Sequence, residues 1–133
     1  MKNILFILAI FIASFAARAS VDLVKNGRPV GRIIVATKSA ENQQAAELLQ
    51  DLGCRMAGAK FKIVDSAKPS KNDVVIGEAF PKAGEDGFRI ATGDNILRIQ
   101  NGGQKGAIYG VVTLLEQYLG VNYYGFEEYD LTP

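Results

Sequence analysis

The sequence contains no histidine and a single cysteine, Cys54. Without histidine it lacks the commonest metal ligand and the commonest general base near neutral pH. One cysteine excludes an internal disulfide, and with no imidazole to activate it Cys54 reads as a small buried apolar residue inside a helix. Excess charge is missing as well. Fifteen Lys and Arg stand against 14 Asp and Glu, and without Lys2 and Arg18 the balance is 13 to 14. That balance makes no electrostatic case for nucleic acid or for an anionic membrane. There is no internal repeat, no low-complexity stretch and no internal linker.

What is present begins with an export signal. Lys2 supplies the positive n-region, Ile4 to Phe15 an apolar h-region, and Ala17-Arg18-Ala19 the small residues that a signal peptidase reads. The expectation is a signal peptide over 1–19, cleaved before Ser20, and an exported product, periplasmic or extracellular. A membrane anchor competes with this reading, but a spanning helix needs about 20 apolar residues and Arg18 interrupts the run. Ser20 stands just after the h-region where a lipoprotein would need a cysteine, so no membrane association is expected after cleavage. From Ser20 onward the chain can build one hydrophobic core and falls far short of the roughly 250 residues of a β/α barrel.

Periodicity gives alternating elements. Val21 to Lys25 and Val30 to Ala36 read as strands around the turn Asn26-Gly27-Arg28-Pro29. Ala45, Leu48, Leu49, Leu52 and Met56 then fall at helical spacing, with Glu41, Asn42, Gln43, Glu47 and Gln50 assigned to the opposite face. Ser39 is the expected N-cap and Gly58 the stop. Phe61 to Val64 and Asp73 to Ile76 read as short strands, the second central in the sheet because its apolar residues are consecutive. Phe88, Ile90, Leu97 and Ile99 alternate with polar or small residues around Gly93-Asp94-Asn95, which predicts a hairpin. A second helix over Gln104 to Leu119 carries Ile108, Val111, Val112, Leu115 and Leu119 on one stripe and is the natural cover for that hairpin. The fold class expected is α+β: a mixed, largely antiparallel sheet of about five or six strands with two helices packed on one face.

Three groups of residues bear on chemistry. Gly102-Gly103-Gln104-Lys105-Gly106 precedes the second helix, where free N–H groups can hold an anion. Its spacing fits neither a phosphate loop nor a dinucleotide fingerprint, and a tight strand-to-helix turn explains the glycines better. The carboxylates Glu85, Asp86, Glu127, Glu128 and Asp130 lie in a loop and a tail, where solvated charge is the default, and Glu116 reads as an exposed helical residue. The aromatic residues Tyr118, Tyr123, Tyr124, Phe126 and Tyr129 make either a surface that stacks on sugar rings or a patch that packs against a neighbouring domain, and the interface is the favoured reading. No catalytic residue, metal ligand or cofactor is assigned.

These residues also carry a resemblance. Val75-Ile76-Gly77, Asp86-Gly87-Phe88-Arg89-Ile90, Ile96 to Ile99, Gly106-Ala107-Ile108-Tyr109-Gly110-Val111, Leu115-Glu116 and Leu119-Gly120-Val121 resemble, in order and spacing, the N-terminal accessory domain of bacterial alpha-glucuronidases. The same pattern is similar to the domain that precedes the barrel of beta-N-acetylhexosaminidases. The resemblance spans Leu23 to Tyr124 and implies an accessory domain over 20–124, with 125–133 as the start of a linker. It implies a catalytic β/α barrel downstream, which would hold the acid and base carboxylates, so no catalytic residue carries over to this chain. It also implies that Gly106 and Gly110 allow close approach of helix to sheet, that Tyr109 packs beneath the sheet edge and that Gly120 ends the helix. Lys105 stands where many relatives have Arg.

The expectation is therefore a non-catalytic accessory domain of an exported glycoside hydrolase, partnered by a barrel in the same polypeptide and by its polysaccharide. The alternative is a free-standing module that binds carbohydrate or protein through Tyr118, Tyr123, Tyr124 and Phe126.

Overall fold

The computed structural model describes residues 21–118, 121–123 and 129–131. The first elements form a minimal hairpin, β1 (Val24–Lys25) against β2 (Arg28–Pro29). Its two-residue turn uses Asn26 at φ 55 and Gly27 at φ 71, the positive pair that suits a right-twisted ribbon. Pro29, expected in the turn, instead sits at the end of a strand, where its missing N–H costs nothing.

The central sheet contains β3 (Ile33–Val35), β4 (Ile63–Asp65), β5 (Val74–Ala79), β6 (Phe88–Gly93) and β7 (Ile96–Asn101), in the spatial order β4-β3-β5-β7-β6. Three of its four pairings are parallel, and the β6–β7 hairpin alone is antiparallel. The expected α+β class holds, but the largely antiparallel sheet does not. The reason lies in two connections. Helix α1 (Ala40–Ala57) carries the chain from β3 to its parallel neighbour β4. The segment 66–72 then returns it across the opposite face to β5, on the far side of β3. Ala67 in that segment packs on Ile34 and Val75, so the crossing is itself part of a small core.

Helix α1 starts where Ser39 Oγ accepts the N–H of Asn42 at 3.0 Å and stops at Gly58, whose φ of 66 and N–H bond to the Cys54 carbonyl form a left-handed cap. Helix α2 (Gly106–Tyr118) lies over β5, β6 and β7, while α1 lies over β3, β4 and β5. Both occupy the same face, and Ile33, Val35, Val74, Ile76, Leu97 and Ile99 from the sheet meet Ala45, Leu49, Leu52, Ala107, Val111 and Leu115 from the helices. Consecutive residues of β3 and β5 are buried on both faces, as the uninterrupted apolar runs require.

Two helical residues depart from the expected pattern. Asn42, assigned to the solvent face, is buried; its Nδ2 donates to the Thr37 carbonyl at 2.8 Å. Cys54, expected to be buried, is half-buried. Beyond α2, β8 (Val121–Tyr123) pairs antiparallel with β9 (Tyr129–Leu131).

Candidate functional site

The glycine-rich turn before α2 is built for close packing of two loops. A Cβ at Gly102 would lie on top of the Gly84 carbonyl oxygen, and one at Gly103 would collide with that of Glu85. These glycines are filled by protein backbone, which leaves no phosphate cradle of the kind a G-rich loop provides. Further along, a Cβ at Gly106 would meet the Gly87 carbonyl, and one at Gly110 would meet Ile99 Cγ2. Gly106 and Gly110 thus set α2 directly on β6 and β7, at a distance no side chain would permit.

That close seat determines what α2 shows to its surroundings. At about 100° per residue, placing Gly110 on the sheet turns Val111 and Leu115, both fully buried, toward α1. Ile108, two turns before Leu115 on the same side, packs against the core, and Tyr109, Val112 and Thr113 are carried away from it. Tyr109 is therefore not beneath the sheet edge, as the resemblance implied, but 42% exposed. Among the described residues the other exposed large apolar side chain is Val30, at 39%, next to the β1–β2 hairpin. The two helices differ in their outer surfaces. In α1 that surface carries Gln44, Glu47, Asp51 and Arg55, with an Arg55–Asp51 ion pair at 3.2 Å. In α2 it carries Tyr109, which is exposed, with Val112 and Thr113, both half-buried, ahead of Glu116.

The sheet face away from the helices is polar over β5, β6 and β7. Arg98 Nη1 donates to Glu78 Oε2 at 2.6 Å, and Gln100 Nε2 to Glu78 Oε1 at 3.4 Å. The Arg89 guanidinium lies 4.8 Å from the centre of the Phe80 ring. Glu78 is thus matched by Arg98, while Gln100 Oε1 is buried without a hydrogen-bond partner among the described residues.

At the opposite end of the strands, Asp73 is 1% exposed. It accepts from the Arg32 side chain at 2.8 Å, from the Arg32 N–H at 2.8 Å and from the Ser70 N–H at 2.9 Å. Burial alone would raise this carboxyl, but the hydrogen bonds from Arg32 and Ser70 and the charge of Arg32 outweigh it and hold it below the usual range. The same contacts raise the Arg32 guanidinium. This cluster ties the start of β3 to that of β5. With its acceptors fully engaged, it is an anchor rather than a reactive acid.

The aromatic residues singled out in the sequence are only partly placed. Tyr118 ends α2, and Tyr123 pairs in register with Tyr129 across the β8–β9 hairpin, which adjoins α2. Tyr124 and Phe126 lie outside the described residues, as do Glu127, Glu128 and Gly120. Glu85, Asp86 and Glu116 are exposed, and Asp130 belongs to β9. Among the described residues no group of His, Cys, Asp and Glu is arranged to hold a metal ion, and no helix is long and apolar enough to cross a membrane. The feature that periodicity missed is the exposure of Tyr109 on the outer side of α2. Of the residues assigned inward, Ile108, Val111 and Leu115 pack in the core, and Val112 is half-buried.

The family model described as glycosyl hydrolase family 20, domain 2, matches residues 17–122. None of the curated proteins matches the sequence.

Proposed function

The chain belongs to glycosyl hydrolase family 20, domain 2, and from that premise we propose that it is the non-catalytic accessory domain of an exported glycoside hydrolase, buttressing a catalytic β/α barrel downstream in the same polypeptide. The parent enzyme, on this reading, is a hexosaminidase acting on N-acetylhexosaminides of a polysaccharide rather than a glucuronidase. The observation that carries the proposal is the outer surface of α2. A helix already seated on its own sheet leaves Tyr109 exposed and Val112 half-buried, while the neighbouring α1 is charged on its outer side. Apolar area of this kind, set beside a polar helix, suits a neighbouring domain better than water.

A non-catalytic role is supported by the carboxylates. Glycoside hydrolysis needs a carboxyl group held in a cleft as the proton donor to the leaving oxygen. In the described residues Glu78 and Asp73 are bound to arginines, and Glu85, Asp86 and Glu116 are exposed. The expected signal peptide over 1–19 supports export to the periplasm or beyond, with the aromatic stretch from Tyr118 to Phe126 as the approach to the barrel.

The test is hydrolysis of a chromogenic β-N-acetylglucosaminide and of an aryl α-glucuronide. Residues 20–133 alone are expected to cleave neither, and the native secreted product to cleave the first. Turnover of either compound by 20–133 alone would overturn the accessory-domain reading.

A further inference from the structure

Glycine directly follows Asn or Asp at Asn26-Gly27, Asp86-Gly87 and Asn101-Gly102. In such a pair the glycine nitrogen can attack the side-chain carbonyl carbon, because glycine has no Cβ to hinder the five-membered ring that results. The attack needs a free glycine N–H, a side chain at liberty to turn toward it, and a backbone with room to rotate.

The fold removes these conditions at two of the pairs. The Gly102 N–H donates to the Gly87 carbonyl at 2.8 Å and Asn101 Nδ2 to Asn42 Oδ1 at 2.7 Å, so both reacting groups are tied. A Cβ at Gly102 would overlap the Gly84 carbonyl, which leaves that backbone no room to turn. At the second pair the Gly87 N–H donates to the Gly84 carbonyl at 3.0 Å, and Gly87 is packed as closely against the Ala83 carbonyl. Asn26-Gly27 differs on every count. Both residues are exposed, and a Cβ at Gly27 would meet nothing within 4 Å. Among the described residues neither the Gly27 N–H nor the Asn26 side chain has a hydrogen-bond partner. The strands that flank this turn have two residues each, too few to hold it closed against local opening.

We propose that Asn26 is a covalent modification site, where water converts the side-chain amide to a carboxylate through a cyclic imide, while the fold keeps Asp86 and Asn101 inert. The Gly27 nitrogen gives up its proton and bonds to Asn26 Cγ; the Cγ–Nδ2 bond breaks, and Nδ2 leaves as ammonia with a proton from solvent. Water then opens the imide. Breaking the bond from the Gly27 nitrogen to Cγ leaves aspartate, and breaking its bond to the main-chain carbonyl carbon leaves isoaspartate, whose backbone runs through Cγ. Overall, water is consumed and ammonia released, with no change of oxidation state. Because the attack requires the turn to rotate, the folded protein reacts more slowly at this site than an unfolded chain. Aspartate here would lie between Lys25 and Arg28. Isoaspartate would lengthen the turn, break the Lys25–Arg28 register and loosen a hairpin whose Val24 packs on the main core.

The experiment ages the native product at mildly alkaline pH and maps its peptides by mass, with isoaspartate read by enzymatic methylation of its carboxylate. The expected result is isoaspartate, and the mass gain of OH for NH2, at position 26. Asn101 should convert at least about a hundredfold more slowly, since its release requires global unfolding. In urea the two sites should convert at similar rates, because both are Asn-Gly. Gly27→Ala, whose methyl hinders ring closure, should slow conversion at 26 and leave Asn101 as it was. An unmodified Asn26, or equal rates at 26 and 101 in the folded protein, overturns the proposal. So does a preference for 26 that persists in urea, or a folded Gly27→Ala variant that converts at 26 as fast as the unsubstituted protein. Should that variant fail to fold, the site rates of the unsubstituted protein decide alone. None of these outcomes touches the accessory-domain reading, which rests on the hydrolysis assay.

Discussion

Asn101 Nδ2 donates to Asn42 Oδ1 at 2.7 Å, linking the last residue of β7 to the first turn of α1 across 59 positions of sequence. The orientation is fixed from both sides. Asn42 spends its own Nδ2 on the Thr37 carbonyl, so only its oxygen faces Asn101, and Asn101 Oδ1 is left buried without a partner among the described residues. Gly77, at the bulge of β5 with φ 95, makes room for this bridge, since a Cβ there would collide with the Asn42 amide nitrogen. Asn42→Ala should therefore cost about 1–3 kcal/mol, because it strands the Thr37 carbonyl and the Asn101 amide. Gly77→Ala should be at least as damaging. Urea midpoints of the two variants check both.

The Asp73 cluster makes stability depend on acid. The folded carboxyl titrates below its unfolded value, so its contribution is fully present above about pH 4 and is lost as the pH falls through the folded pKa. Asp73→Asn should lower stability at pH 7 by about 2–3 kcal/mol, allowing for the partial exposure of Arg32. It should also flatten the stability profile below pH 4. Thermal unfolding of both proteins between pH 2 and 7 would reveal a parallel, unflattened profile if the cluster were unimportant.

Gly110 fixes the height of α2 above the sheet. A methyl at this position would sit on Ile99 Cγ2, and Gly110→Ala should cost about 1–3 kcal/mol by overpacking despite its better helix propensity. An unchanged melting temperature would mean that α2 rides higher than described. Tyr109→Ser, one residue away, should leave the fold within about 0.5 kcal/mol while weakening whatever rests on the helix.

The sequence revealed most of this fold, and what it hid has physical causes. Alternation marked β6 and β7, and Asp94-Asn95, both at positive φ, marked their turn. Ser39 and Gly58 bounded α1 because cap chemistry is local. Strand direction was not legible, since Ile33-Ile34-Val35 and Val74-Val75-Ile76 are buried on both faces and read alike in either sense. The clue to parallel pairing lay in the segment 66–72, whose Ala67 had to cross a sheet rather than turn a hairpin. Asn42 looked like a solvent-facing residue because its partners, Thr37 and Asn101, belong to a loop and to a distant strand. Tyr109 was placed beneath the sheet edge by the resemblance alone, since its spacing left it off the apolar stripe of α2.

Export has its own test. Amino-terminal sequencing of the product from culture fluid or periplasm should begin at Ser20. A product that starts at Met1 and stays in the cytoplasm would remove the export half of the proposal while leaving the family assignment untouched.

The central claim, that this chain supports a catalytic barrel, is tested most directly by the intact mass of the native secreted product, read with the codons after Pro133. The account predicts a mass far above that of residues 20–133 and an open frame continuing through a barrel-length segment. A mass equal to 20–133, with a stop codon after Pro133, would contradict it.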